Sequence, residues 1–467
     1  MAGLARPMRT LLIPAENQVR ELDAKLLLSC VAAERGLRPI LGYRTELDFR
    51  IASFPPSLYL AKSMTRRAVK MFRIMRMLGH EIMGWDEEAL VTLSDEHFHR
   101  RKLDASALDL VSLFFAWGED NAELFRKFPG FPDRPIHVTG NPRADLLRPE
   151  LRPVYADDAA ALRARYGEFV LVNTNFHMVN GFLSSLNLIQ PPKAPGGELA
   201  IGASGAGLSR EFVAGYAAHK GALFERFQKL LPRLSEAFPD QPFVLRPHPT
   251  ESREAWLAAA KGHPNVTVVH EGVVIPWLMA SKALIHNGCT TAVEAFAMGV
   301  PSISFRPVRN DPYDFDLPNG LSHEADDDGG VIALLRRVLA GELGPAKPHD
   351  LPRPFPEYVA GLEGRLVSDR IVDVIESWLA SAPARAHPGL ARRLHGRWLA
   401  ARRAWKKRWI KARQPGHRNN PAFQRHRFPG VTTAALNERI EKLQGALRRF
   451  EGVRARELAD GIFEIGN

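Results

Sequence analysis

The 467-residue chain is 45% hydrophobic and 25% charged, a composition that excludes a disordered or fibrous protein and suffices for two domains with an appended segment. Its two cysteines, Cys30 and Cys289, exclude a disulfide framework, and no Cys/His spacing matches a zinc site. The formal net charge of +11 is concentrated in 391–413, which carries ten Lys and Arg and no acid, leaving about +1 for the rest.

In chain order, Thr10–Pro14 predicts a short buried strand. Leu22, Leu26, Leu27, Cys30 and Val31 then recur at helical spacing up to Gly36, and Arg38–Gly42 is the next strand. A β-α-β opening favours a parallel sheet with right-handed crossovers. The rhythm continues through Ile82–Trp85, Leu110–Trp117 and Ile136–Thr139, the last ending at Gly140-Asn-Pro-Arg143. A polar seam over Arg148–Gly167, with Pro149 and Pro153, precedes a second series of short apolar runs at Phe169–Thr174, Phe243–Arg246, Val266–Val269, Ala283–Ile285 and Ser302–Phe305. The stretch 176–207 is rich in Gly, Pro and Ser and reads equally as a lid or a surface insertion. A helical pattern at 365–379 would complete the second series, 382–389 reads as a linker, and a last helix from Thr433 places Leu436, Ile440, Leu443 and Leu447 on one face. The expected organisation is an N-terminal Rossmann-like lobe over 1–150, a second over 165–380, and a basic helical extension over 390–467. No signal-peptide core is found, nor any apolar stretch of the roughly 20 residues that cross a bilayer, so a cytoplasmic protein, soluble or peripheral, is expected.

Four constellations carry chemistry. Arg246-Pro-His-Pro249 lies at the carboxyl edge of a strand, where open parallel sheets bind ligands. A guanidinium fork and an imidazole there suit a phosphate, and the prolines hold the backbone in place. The run His286-Asn287-Gly288-Cys289-Thr290-Thr291, ending at Glu294, turns from a strand into a helix whose start suits an anion. Glu294 either accepts from a ribose or completes a capping box. Glu87 and Glu88 are adjacent carboxylates, expected to raise each other's pKa as a general base requires, or else to favour a helix dipole as solvated acids. Glu16, Arg20 and Glu21 follow the first strand, either toward an acceptor or as an exposed helix face.

Gly140–Arg143, Arg246–Pro249 and Asn287–Pro301, in that order and spacing, resemble GT-B glycosyltransferases and, more narrowly, bacterial surface carbohydrate biosynthesis proteins. The resemblance runs from Leu11 to Phe428-Pro-Gly430 and the final helix. The Arg-Pro-His-Pro element with a downstream hydroxyl pair is also similar to bacterial sialyltransferases, Kdo transferases and glycerophosphotransferases. In those, the His-Pro element and the hydroxyls hold the phosphate of a CMP or CDP donor, which implies that role for His248, Pro249, Thr290 and Thr291. The implied fold is α/β GT-B: two Rossmann-like lobes with parallel sheets facing a cleft, toward which Asn173 and Asn175 would point. The acidic pair is similar to the Asp/Glu-Asp/Glu-Gly motif of CMP-sialic acid transferases, which makes Glu87 the base and Glu88 its neighbour, with Ala89 replacing the glycine. Glu16, Arg20 and Glu21 would meet the acceptor.

The implied activity is metal-independent transfer of a sugar from a nucleotide donor, CMP-linked Kdo or another acidic sugar first, to a glycan or lipid-linked acceptor in surface polysaccharide assembly. The nucleotide sugar is substrate, and no further cofactor is expected. No Gly-x-Gly-x-x-Gly follows the first strand, which argues against a nicotinamide enzyme. A nucleotide-sugar 2-epimerase and a non-catalytic assembly scaffold stay open as alternatives.

In the basic segment Leu394, Trp398, Ala401, Trp405 and Trp409 form one helical stripe, with the cations on the other faces. This is the composition of a helix lying on an anionic membrane, with an RNA-binding or simply solvated basic helix as the alternative; the chain is expected at the inner face of the cytoplasmic membrane, with no nucleic acid partner.

Overall fold

The computed structural model describes residues 8–190, 199–381, 388–411, 413–414 and 420–467. They divide into two compact units: Met1–Leu90, Arg101–Val154 and Phe355–Asn467 form the first, and Val91–Arg100 with Tyr155–Pro354 the second.

The first unit is built on β1 (Thr10–Ala15), β2 (Arg38–Tyr43), β3 (Leu58–Ala61), β4 (Glu81–Gly84), β5 (Leu113–Ala116) and β6 (Ile136–Val138). They run parallel in the order β2-β1-β3-β4-β5-β6. Strands β1, β3, β4 and β5 are buried at every position, as apolar runs covered on both faces must be. Helix α1 (Gln18–Glu34) crosses from β1 to β2 and buries Leu22, Leu26, Leu27, Cys30 and Val31, as its periodicity predicts. Helix α2 (Val69–Leu78) crosses from β3 to β4 and buries Met71, Phe72, Ile74, Met75 and Leu78.

The helix Val367–Ser381 packs into this unit rather than completing the second. The buried Asp145 carboxylate accepts from the backbone N–H of Val367 at 2.6 Å and of Ser368 at 2.9 Å, satisfying the start of that helix. Arg449 ties the same helix to α1 through Asp369 and Glu34. The extreme C-terminus adds a hairpin, Arg454–Ala459 with Ile462–Gly466, whose second strand pairs antiparallel with β2. The last residues therefore complete a sheet and are not an appendage.

The second unit has β7 (Val170–Asn173), a short pair β8 (Ile189–Gln190) and β9 (Ala200–Ile201), then β10 (Phe243–Arg246), β11 (Val266–Val268), β12 (Leu284–His286), β13 (Ser302–Phe305) and β14 (His323–Ala325). The main sheet is all parallel in the order β11-β10-β7-β12-β13-β14, a doubly wound arrangement. The chain winds one way from β7 and the other way from β12, so the topological switch point lies between their carboxyl ends. Helix α3 (Arg210–Ala237), capped by Ser209, lays Leu223, Phe227, Leu230, Leu231 and Leu234 on this sheet. Helix α4 (Thr290–Met298) follows β12. Of the stretch 176–207, residues 191–198 lie outside the described residues. Of what is described, Phe176 and Leu188 are buried, Leu188 seated on Val213 and Tyr216 of α3, while Phe182, Leu199 and Ile201 are exposed.

Two Rossmann-like α/β units with parallel sheets and a helical C-terminal region are thus the architecture, as the sequence predicts. Helix α5 (Leu390–Trp405) lies in the basic segment and continues as a π-helical turn over Lys406–Lys411. Its Gly396 and Ala400 are buried, and a side chain at Gly396 would come within 3.0 Å of Met77 on α2. Arg403 reaches Asp48 at 3.2 Å and Arg408 reaches Glu46 at 2.7 Å. The predicted stripe of Leu394, Trp398, Ala401, Trp405 and Trp409 is exposed throughout its length. Among the described residues no helix is long and apolar enough to cross a membrane.

Candidate functional site

The second unit gathers its polar side chains at the switch point. Asn173 ends β7 and stands in register with Arg246 of β10 on one side and His286 of β12 on the other. Asn173 Nδ2 donates to Thr291 Oγ1 at 3.2 Å. The loop after β7 is tied to the loop after β12: Asn175 N–H donates to Asn287 Oδ1 at 2.9 Å, and Asn287 Nδ2 returns a bond to the Asn175 carbonyl at 3.4 Å. Asn175 Oδ1 meets His177 Nδ1 at 2.7 Å, and the His177 ring stacks on His248 with centroids 4.6 Å apart. His248 in turn contacts Thr250 Oγ1 through Nδ1 at 2.9 Å.

Two buried groups fix this edge. Glu251 accepts from Phe176 N at 2.8 Å, Thr174 Oγ1 at 3.1 Å, His248 N at 3.1 Å and Trp256 Nε1 at 3.0 Å, so one carboxylate shapes both the β7 and β10 loops. Burial pushes its pKa up to about 7 despite those donors. His286 accepts from Gly288 N at 3.0 Å and meets Ser322 Oγ at 2.8 Å, and burial holds it neutral with a pKa of about 3. Gly288 has φ +78°, in the left-handed region, so the turn into α4 favours glycine.

Lys220 of α3, absent from the sequence reading, belongs to this edge. It is 3% exposed, has no hydrogen bond or ion pair among the described residues, and its ammonium lies over the Phe315 ring at 4.8 Å and near Tyr216 at 5.6 Å. Desolvation lowers its pKa to about 8 against the opposing influence of Asp314 and then of Cys289, the N-cap of α4. Asn173 Oδ1 and Arg246 Nε, both buried, also have no partner among the described residues. A desolvated cation and two orphaned polar atoms beside a helix N-terminus suit an anionic ligand. No periodicity distinguishes Lys220 from the apolar residues around it, so the sequence held no signal for it.

Several roles differ from expectation. Arg246 is not an open fork: its Nη2 donates to the carbonyls of Glu271 at 3.0 Å and Gly272 at 2.8 Å, and its guanidinium lies over Trp277 at 5.1 Å. Cys289, not a threonine, is the N-cap of α4, so Thr290 and Thr291 occupy its first two positions and Glu294 is too deep for a capping box. Glu294 is buried and its charge acts on Arg246. Pro249 stands between the β10 exit and Thr250, where it fixes the loop that carries His248.

The first unit brings Glu16, Arg20, Glu21, Glu87 and Glu88 into one ion network at the carboxyl edge of its sheet. Glu21 accepts from Lys25 at 2.6 Å and Lys62 at 2.9 Å, and Glu16 meets Lys62 and Arg44 at 2.9 Å each, together with Arg427. Lys25 also reaches Glu87 at 3.2 Å, and Trp85 Nε1 donates to Glu87 at 2.9 Å. Glu16, Glu21 and Glu87 are therefore buried and committed to cations, in place of the solvated faces a lone charged residue suggests. Glu88 differs, with a side chain 52% exposed that pairs with Arg20 at 3.4 Å and Lys102 at 3.2 Å. The expected raising fails at Glu88: Lys102, then Arg20, hold its carboxyl well below its usual range. The acid that burial raises is the preceding Asp86, which was not anticipated. Lys25, Lys62 and Lys102 were likewise missed, because only the fold brings them to the edge. Among the described residues no cluster of three or more His, Cys, Asp or Glu is arranged to hold a metal ion.

No family model and no curated protein matches the chain. Among solved structures it is similar to the UDP-GlcNAc 2-epimerase of Methanocaldococcus jannaschii in complex with UDP-GlcNAc and UDP, at 11% identity over 79% of this chain and 99% of that one, with a TM-score of 0.47. It is also similar to S. aureus MnaA with UDP (14% identity, 80% and 97% covered, TM-score 0.47). The third similarity is to the wall teichoic acid polymerase TagF (10% identity, 87% and 91% covered, TM-score 0.45).

Proposed function

We propose that the chain is a glycosyltransferase of the GT-B type in surface polysaccharide assembly. Its second unit binds a nucleotide-sugar donor, CMP-linked by preference, and its first unit engages a glycan or lipid-linked acceptor. The observation that carries this reading is the polar cluster at the switch point. Asn173, Asn175, Asn287, Thr291, His177 and His248 are joined there by direct contacts, beside the buried Lys220 and the first turn of α4. The donor phosphate would take the α4 N–H groups, the Thr290 and Thr291 hydroxyls, His248 and Lys220, which together offset charge on the leaving nucleotide. Glu88 and Arg20 are the carboxylate and cation available to acceptor hydroxyls in the first unit.

A thermal-shift series with CMP, CDP, UDP and GDP tests it. A ligand at a hundredfold its Kd stabilises the folded state by about 2.7 kcal/mol. Selective stabilisation by CMP supports the donor assignment, whereas selective stabilisation by UDP overturns it. Turnover of a UDP-sugar without any acceptor would replace transfer with 2-epimerisation. Silence to all four nucleotides would leave a scaffold.

A further inference from the structure

In the first unit, α2 and α5 enclose a cleft of about 560 Å³ that no proposed catalytic residue enters. Its floor is apolar, with Val69, Ile74 and Met77 from α2 and Leu399 from α5. Its rim is basic: Arg66 on the turn before α2, and Lys70 and Arg73 on it, are all exposed. None of the three has an ion-pair partner among the described residues. The one acid at the rim, Asp104, is engaged through Oδ1 by the Ala107 N–H at 3.2 Å. Lys70 and Arg73, three residues apart on α2, and Arg66 on the turn before it line one rim and repel one another at no visible gain.

The neighbouring helix supplies the second observation. The helix α5 that sends Leu399 into the cleft exposes Leu394, Trp398 and Trp405, and the π-helical turn after it exposes Trp409, each more than half accessible. Arg402 lies over Trp398 at 5.4 Å. Close packing at Gly396 and the pairs to Asp48 and Glu46 hold this face outward. Indoles beside arginines suit the headgroup level of a bilayer.

We propose that the α2–α5 cleft receives the phosphate headgroup of an anionic bilayer lipid, held by Arg66, Lys70 and Arg73, while the tryptophan stripe enters the same interface. This rests on the reading of 391–413 as an interfacial helix, and it adds a specific headgroup site on α2 that the basic segment does not contain. The apolar floor and the indole face favour lipid over an RNA backbone, which would leave both uncovered.

The test is flotation of the full chain with vesicles of phosphatidylcholine alone or mixed with phosphatidylglycerol. Each cation at an anionic surface contributes a factor of about five, so the triple variant R66Q/K70Q/R73Q loses about a hundredfold in partitioning onto the mixed vesicles. The charge-matched control R253Q/K261Q/R337Q, exposed in the second unit, retains wild-type partitioning. A soluble short-chain phosphatidylglycerol titrated against the protein separates a cleft from a diffuse field. Ser106→Trp narrows the mouth without altering charge and abolishes this binding, to which a purely electrostatic surface would be indifferent. Loss on W398S/W405S/W409S together with no loss on the α2 triple variant would overturn the cleft and leave the interfacial helix standing. Wild-type protein that floats with neither vesicle would overturn both. Oligonucleotide binding that depends on Arg66, Lys70 and Arg73, with no vesicle binding, would assign the site to nucleic acid and overturn the proposal.

Discussion

The imidazoles of His177 and His248 stack at 4.6 Å, and each uses Nδ1 to hold a different loop, His177 toward Asn175 and His248 toward Thr250. This pair couples the β7 exit to the β10 exit across the ligand edge. His248→Ala is expected to abolish the nucleotide-induced rise in melting temperature. His177→Ala is expected to weaken it by about tenfold, because it removes the ring that orients His248 and frees Asn175. Calorimetric titration of CMP or CDP into both variants checks this. A normal response of His248→Ala removes the residue from the site.

How far the site could be foreseen follows from this pair. His248 was legible because Arg-Pro-His-Pro is a local motif at a strand exit, and Thr290 and Thr291 because a strand, a glycine turn and a helix lie in sequence. The doubly wound order was legible as rhythm, since buried parallel strands are apolar runs punctuated by helices. His177 was not legible, as it stands in a stretch whose composition reads as a loose loop, yet Glu251 and Leu188 pack that loop into the unit. Arg454–Ala459 reads as polar because an edge strand needs only Ala455 inward, and it joins the sheet only through Ile462–Gly466, which pairs with the distant β2. The buried ion network was hidden for the same reason: charge spacing along one chain does not reveal that Lys25 stands between Glu21 and Glu87.

Lys220 should give the proposed donor binding a pH dependence with a definite sign. Its pKa is lowered to about 8, so the ammonium is present below that pH and is lost as the pH rises through it. The second ionisation of a phosphate is complete above about pH 7, so the ligand's charge is constant across the window. Nucleotide affinity is expected to fall between about pH 7 and 9 in the wild type. Lys220→Arg should hold its affinity over that range, and Lys220→Met should be about 10- to 100-fold weaker and flat with pH. Equal affinity of wild type and Lys220→Met at neutral pH would exclude the lysine.

Glu251 is expected to act on stability. Its pKa is raised to about 7 in the folded state, above the ordinary glutamate value of about 4.3. Between those values the folded chain holds a proton that the unfolded chain does not, so this group stabilises at low pH and its contribution is lost as the pH rises through 7. Glu251→Gln should flatten that component, seen as a smaller difference between urea midpoints near pH 5 and pH 7.5. Glu251→Ala orphans four donors and should cost about 3 kcal/mol or more.

The acidic pair of the first unit separates into two roles that mutation can tell apart. Glu87 is buried against Lys25, and breaking such a pair typically costs about 3–5 kcal/mol, so Glu87→Gln should be read first in the unfolding midpoint. The resemblance puts the base on Glu87, but the exposed Glu88 is the proposed base here, so Glu88→Gln should lower kcat by about 100- to 10,000-fold while leaving the midpoint unchanged. Because Lys102 holds Glu88 well below 4.5, the acid limb of the wild-type rate profile should lie below that pH. Lys102→Met removes the largest cause of the depression, so Glu88 protonates at higher pH and the acid limb moves upward. An acid limb that does not move in Lys102→Met, or full transfer activity in Glu88→Gln, would take the base away from this carboxylate and direct attention to Asp86, whose pKa burial raises.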